Sequence, residues 1–159
     1  MSDIQKAAFD VYVPPSDEQL AAARDIVARF AARWNRPDAD ALRDLMHPDT
    51  RNLIPPMTVP ADREGVVEHF RGILQTLPDL RLDVVRWAPT GDTVMVEWKA
   101  EATVAGQHLA WTGVDRFNIR GDKMYEACVY WDTRDLAERM AAAVQRAEKV
   151  AIQPDTLME

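Results

Sequence analysis

The sequence predicts an α+β domain: a cone-shaped barrel of curved, mostly antiparallel sheet wrapped on three N-terminal helices, plus a C-terminal helix. Three observations carry this. Apolar residues between Ser16 and Leu77 recur mainly at helical spacing. From Leu80 to Trp131 the spacing changes to strict alternation, the mark of half-buried strands. Turn clusters at Gly91-Asp92, Ala105-Gly106-Gln107 and Arg120-Gly121-Asp122 divide that second region into hairpin-linked strands. Helices gathered first and strands gathered later mean α+β rather than a doubly wound parallel sheet. Strands of this kind curl around the helical layer, and the open end of such a cone is a natural small-molecule pocket.

Each element has its own signature. Residues 1–15 read as an arm ending in Val11-Tyr12-Val13-Pro14-Pro15, where paired prolines bar a helix. Ser16 and Gln19 form a capping-box pattern that opens a helix carrying Ile26, Val27, Phe30, Ala31 and Trp34 on one face. Asn35-Arg36-Pro37 stops it, and Asp38 caps a short second helix with Leu42, Leu45 and Met46. His47-Pro48-Asp49 is a turn before a short strand at Arg51–Ile54 and a loop with Pro55, Pro56 and Pro60. Asp62 caps a third helix with Val66, Val67, Phe70, Ile73, Leu74 and Leu77 on one stripe, ended by Pro78.

The strands follow. Leu80, Leu82 and Val84 alternate with charged residues, and Val94, Val96, Trp98, Ala100, Ala102 and Val104 alternate with Met95, Glu97, Lys99, Glu101 and Thr103. Two further strands are expected at 108–119 and 123–131. Asp132 then caps a C-terminal helix to about residue 150, with Leu136, Met140, Val144, Ala147 and Val150 as its stripe. That stripe is expected on the convex sheet face or on a second subunit, and a homodimer is the expected assembly. The organisation is an arm (1–15), an α+β domain (16–136), and a C-terminal helix and tail (137–159).

Composition narrows the function. A chain of 159 residues buries roughly 68–70% of its unfolded surface, enough for a core without disulfides or metals. Lys plus Arg number 19 against 26 Asp plus Glu, a net charge of −7. Nucleic acid and membrane surfaces are therefore not expected partners, since both demand clustered positive charge. The one cysteine, Cys128, forms no internal disulfide and has outward parity, away from any His. The N-terminal segment lacks a signal-peptide pattern, and no uncharged apolar run approaches the ~18 residues that span a bilayer. A soluble, cytoplasmic protein is expected. His47, His69 and His108 are dispersed without an i, i+4 pair, so neither a metal nor any other cofactor is expected.

The element order and four strings together resemble the SnoaL-like polyketide cyclases of the nuclear transport factor 2-like superfamily. The strings are HPDTRN (47–52), LPDLRLDVVRWAPTGDTVMVEW (77–98), TGVDRFNIRGDKMYE (112–126) and YWDT (130–133), and the likeness spans roughly 17–136. The resemblance implies a deep apolar pocket, often in a dimer. It also exposes departures. The cyclases and the related epoxide hydrolases carry an essential Asp three residues before the Asp that ends the last strand, and that position here is Val129. The cyclase pocket His two residues earlier becomes Ala127. An Arg and Asp of the epoxide hydrolases fall on Trp98 and Ala100, and the ketosteroid isomerase base falls near Ile54.

Two polar positions remain as candidate catalytic residues. Asn52 sits where cyclases and epoxide hydrolases keep a pocket Asn. It either orients a water or polarises a carbonyl, or it only bonds backbone at the strand end. Asp115 has inward parity, at a position where cyclases place a pocket His. On an apolar concave face its pKa should rise, which suits an acid or base near neutral pH. The structural alternative is a bond from backbone, Arg116 or Arg51. Trp34, at a family pocket position, and Trp98, Trp111, Tyr125, Val129 and Trp131 are the expected ligand-binding residues. So many rings suit a flat or cyclic apolar ligand.

The leading reading is a small-molecule enzyme performing cofactorless acid/base chemistry (cyclisation, isomerisation or hydrolysis) on a cyclic or polyketide-like apolar substrate. The alternative is a non-catalytic small-molecule binding module of the same fold. A third is a dimerisation domain whose pocket is filled by Met57, Trp98 and Trp131.

Overall fold

The computed structural model describes residues 12–152. Residues 1–11 of the expected arm, and the tail 153–159, lie outside that range. Ser16 opens helix α1 (Asp17–Asn35) with the full capping box. The Gln19 amide donates to Ser16 Oγ at 3.2 Å and the Ser16 amide donates to Gln19 Oε1 at 2.9 Å. The helix buries Ala23, Ile26, Val27, Phe30 and Trp34, one continuous stripe. Before it, Val13 is fastened to the turn after strand β2, its carbonyl accepting from Gly91 N at 2.7 Å.

Asp38 caps the short helix α2 (Ala39–Leu42), and a 3-10 turn at Arg43–Leu45 leads into strand β1 (Met46–Leu53). This strand begins earlier than its sequence suggests. Its ladder with the last strand, β5 (Lys123–Trp131), breaks register between Met46 and Arg51. The expected His47-Pro48-Asp49 turn is absorbed there as an irregularity, and Pro48 has no N–H to give a ladder. Asp62 Oδ1 accepts from Gly65 N at 2.9 Å to cap helix α3 (Arg63–Thr76).

Strands β2 (Arg81–Thr90), β3 (Thr93–Val104), β4 (Gln107–Arg120) and β5 are joined by hairpins. The sheet order is β1-β5-β4-β3-β2, antiparallel except for β1 beside β5. The β3–β4 hairpin turns on Ala105 and Gly106, at φ +48 and +77, the left-handed pair that a two-residue hairpin needs. Along β3, Val94, Val96, Trp98, Ala100 and Ala102 are buried. They form one core with Phe117 of β4, Phe30 and Trp34 of α1, and Val66 and Val67 of α3. The ring of Phe30 meets that of Phe117 at 5.1 Å, tying the first helix to the sheet.

Two expectations are corrected by the packing. Tyr125 was placed inward by simple alternation from Ala127, Val129 and Trp131. The register slips between Asn118 and Ile119, which pair with Glu126 and Met124, so Tyr125 is the extra residue of a bulge. Its ring packs against His47 at 5.6 Å and under the Arg120 guanidinium at 3.4 Å. The C-terminal helix α4 (Thr133–Ile152), capped by Asp132 Oδ1, does not lay its stripe on the convex face. Leu136 and Met140 instead close the open end of the cone, while Val144 and Val150 are exposed. Among the described residues no helix is long and apolar enough to cross a membrane.

The capping box yields a direct check. Ser16→Ala removes one side of it and is expected to cost about 1 kcal/mol. Urea unfolding should show a lower midpoint at unchanged m-value, and an unchanged midpoint would remove the cap from the account of α1.

Candidate functional site

The inward parity of the strands and the placement of α4 leave a cavity of about 560 Å3. The sheet contributes Leu82, Trp98, Ala100, Trp111, Asp115, Val129 and Trp131 to its wall. Trp34 of α1, Ile54 to Pro56 of the loop after β1, and His69, Phe70 and Ile73 of α3 complete the sides. Leu136 and Met140 complete the outer end. Deeper in the core lies a second void of about 40 Å3. Trp34, Ile54, Phe70, Asp115 and Val129 border both spaces, so they separate the inner void from the main cavity. A cavity of this size weighs against a pocket filled by its own side chains. Met57, expected among the fillers, packs on the core and is not in the wall.

Asp115 is the focus of the site. It pairs across the ladder with Val96 on β3 and Val129 on β5, so both lateral neighbours are apolar. It retains 6% exposure. Trp98 Nε1 donates to Oδ1 at 2.8 Å. Oδ2 has no hydrogen-bond partner among the described residues, and the residue borders both the main cavity and the inner void. Burial pushes the carboxyl up to about 7, against the smaller opposing pull of the Trp98 hydrogen bond. The two arginines expected as structural partners bond elsewhere. Arg116 donates to Asn118 and Glu126, and Arg51 donates to the Thr50 carbonyl at 2.8 Å.

A glycine makes the Trp98 bond feasible. Gly113 is the direct cross-strand partner of Trp98. A Cβ at residue 113 would lie 2.4 Å from Trp98 Cζ2 and 2.9 Å from the Tyr130 carbonyl. The indole therefore crosses the bare backbone of Gly113 to reach the next inward residue of β4. Trp131 meets Trp98 edge-on at 5.7 Å, and Trp111 meets Trp131 at 6.4 Å. Three indoles thus form one aromatic wall beside the carboxyl, each edge-to-face arrangement favourable for the ring quadrupoles.

The other candidates separate. Trp34 and Val129 line the cavity as expected. Asn52 is buried and borders only the inner void. Its Oδ1 accepts from Thr50 Oγ1 at 3.3 Å and its Nδ2 points at Met46 Sδ at 3.3 Å, a weak acceptor. Its backbone bonds Ala61 in both directions at 2.9 Å. Tyr125 borders neither space. No Lys or Arg is in either wall, and among the described residues no three His, Cys, Asp or Glu side chains gather as a metal site.

The site can now be set beside known proteins. The sequence model of the SnoaL-like domain matches residues 27–127, most of the strands and two of the helices. The chain belongs to the SnoaL-like domain family. No curated protein sequence matches it significantly. Among solved structures, it is similar to AclR from Streptomyces galilaeus, a candidate hydroxylase. The two share 22% identity and a TM-score of 0.67, covering 77% of this chain and 97% of AclR. IdmH from Streptomyces antibioticus, a candidate polyketide cyclase, has 23% identity and a TM-score of 0.66, covering 77% and 98% of the two chains. TerC, co-crystallised with polyporic acid, has 21% identity and a TM-score of 0.63, covering 79% and 99%. At these identities the likeness is one of fold.

This SnoaL-like domain also carries two polar residues that the sequence reading missed, one in the cavity wall and one hydrogen-bonded to Asn52. His69 occupies the apolar stripe of α3, three residues after Val66 and four before Ile73, and its place there was the available signal. Burial lowers its pKa, so the ring is neutral, and its Nε2 is buried without a partner. Thr50, fully buried, lies two residues before Asn52 on the same side of β1.

The raised Asp115 pKa has a consequence for stability. Relative to its ordinary 3.8, a folded value of about 7 means the folded state holds the proton more tightly. Stability from this group is therefore highest below pH 4 and is lost as pH rises toward 7, by roughly 4 kcal/mol in the limit. Asp115→Asn keeps the shape and an acceptor for Trp98 without the charge. It is expected to stabilise the fold by roughly 2–4 kcal/mol at pH 8, with the gain fading toward pH 4, as read by urea unfolding across that range. A pH-independent difference would contradict the titration.

Proposed function

We propose that this SnoaL-like domain is a small-molecule enzyme of cyclase type, using cofactorless acid/base chemistry on an uncharged cyclic or polyketide-like substrate that bears a carbonyl. One observation carries the reading: a buried carboxyl without a charged partner among the described residues, Asp115, whose pKa lies near neutrality in a largely apolar, tryptophan-walled cavity. At neutral pH both its forms are populated, which is what a group that takes and returns a proton requires.

In this mechanism Trp98 anchors Oδ1 and leaves Oδ2 for the substrate. The carboxylate removes a proton from carbon beside the carbonyl, and the electron pair of the broken C–H bond moves onto the carbonyl oxygen. The enolate then either attacks a second carbonyl, closing a ring as that carbonyl's electron pair moves to its oxygen and the new alkoxide takes the proton from Asp115, or takes the proton back from Asp115 at another carbon. The cavity volume of about 560 Å3 suits a multi-ring molecule. Walls without Lys or Arg favour an uncharged one. Asn52 serves as the polar orienter from the inner void, whose volume of about 40 Å3 has room for a water between Asn52 and Asp115. The description of IdmH as a candidate polyketide cyclase supports this substrate class.

A second reading, a binding module without turnover, is favoured by Val129. It lines the cavity where the resemblance expects the family acid. The homodimer expected from sequence is supported by exposed Val85, Met95 and Tyr130. Tyr130→Glu should then lower the mass measured by sedimentation.

The enzyme reading is tested with a substrate that shows turnover. Asp115→Asn is expected to lower kcat by roughly 10²–10⁴-fold while KM moves little, and the wild-type pH profile should show an apparent pKa near 7 that the variant lacks. Unchanged turnover in the variant would remove Asp115 from the mechanism. Tryptophan quenching by ligands that are never converted would favour the binding module.

A further inference from the structure

We propose that helix α4 is the outer wall of the substrate site, and that Leu136 and Met140 set how long an apolar substituent the cavity accepts beyond Asp115. This rests on reading the cavity as a substrate site and names the part of the substrate that meets the helix.

Position carries the first step. Asp115 borders both the main cavity and the inner void, whereas Leu136 and Met140 border the main cavity alone. The carboxyl therefore marks the inner end, and α4 lines a part of the main cavity away from the inner void. A substrate with its carbonyl at Asp115 extends its remaining bulk past the tryptophans toward those two side chains.

The helix is fixed in that place. Leu136, Met140 and Ala143 follow at spacings of four and three, one face of a helix, and Ala143 is fully buried. Arg139 donates to the Ala110 carbonyl at 2.9 Å, next to the wall residue Trp111, and Arg146 donates to Gln107 Oε1. The helix is thus pinned to β4 at two points. Its charged residues Arg134 and Glu138 pair with each other in solvent, with 88% and 66% of their side chains exposed. What it turns to the cavity is a Leu and a Met, so the substituent it meets is apolar.

This wall lies outside the shared family segment. The family match ends at residue 127, before α4 begins. AclR and IdmH are matched over 97% and 98% of their own lengths by 77% of this chain. Substrate length in this protein is therefore set by a segment that the family match does not include.

The test uses alkyl phenyl ketones from acetophenone to octanophenone, with Kd read by calorimetry on the full chain. Wild-type affinity should strengthen by about fourfold per methylene up to a limiting tail length, then level off or fall. Met140→Ala and Leu136→Ala should move that limit to longer tails, and Met140→Trp to shorter ones. Asp115→Asn should shift the whole series by a common factor without moving the limit. Folding of each variant is checked by circular dichroism. With methyl-labelled methionine, octanophenone should shift the Met140 resonance and leave that of Met95, on the convex face, in place. A limit unchanged in both alanine variants, together with a silent Met140 methyl, would overturn the role of α4 and leave the pocket standing. No binding of any ketone to any form would overturn the pocket reading and this inference together.

Discussion

The site depends on one cross-strand contact, the indole N–H of Trp98 on the buried carboxyl of Asp115. The two residues are not opposite each other in the ladder. Trp98 faces Gly113, and Asp115 faces Val96, so the bond runs along the diagonal, a separation of about 7–8 Å between backbones that only a long side chain spans. The missing side chain of Gly113 is the condition for it, since a Cβ there would overlap the ring. One glycine, one tryptophan and one aspartate are thus a single device. It fixes one carboxylate oxygen and turns the other to the cavity.

That device strains the fold it belongs to. A carboxyl among Val96, Val129 and the indoles has one donor and no cation, so its charged form is disfavoured by burial. An apolar residue at 115 would suit the core better, since Phe30, Phe117, Val94 and Val96 around it are fully or almost fully buried. A carboxyl at an inward position of the regular β3–β4 ladder breaks local consistency, which is the pattern expected of a functional position. His69 continues the theme, since burial rather than an ion pair sets its proton affinity as well.

Most of the architecture was legible in the sequence because it rests on local rules. The Ser16-Gln19 box, the Asp62 and Asp132 caps and the alternation of β3 each act within a few residues. The misses all depend on longer-range geometry. Tyr125 left the pocket because a bulge inserts one residue into β5, and one inserted residue reverses parity from there on. The stripe of α4 was visible, but a stripe does not say which surface it covers. Strand parity places Asp115, Trp98, Trp111 and Trp131 on the cavity wall. Asn52, expected from the resemblance, borders the inner void rather than the main cavity.

The register also clarifies the absence of the family acid from the last strand. The resemblance puts that acid at residue 129, here a valine, and Val129 is the direct cross-strand partner of Asp115. Side chains so placed are about 4.5–5.5 Å apart at Cβ. The carboxyl is therefore available to the same region of the pocket, delivered from β4 instead of β5. The two arrangements exclude each other under ordinary conditions. Two buried carboxyls at that separation cannot both ionise, and one would be held protonated far above neutral pH. With valine at 129, Asp115 has no competing charge, and its proton affinity is set by burial and by Trp98. On the proposed function, the valine at 129 and the Asp at 115 are one arrangement, with the acid delivered from β4.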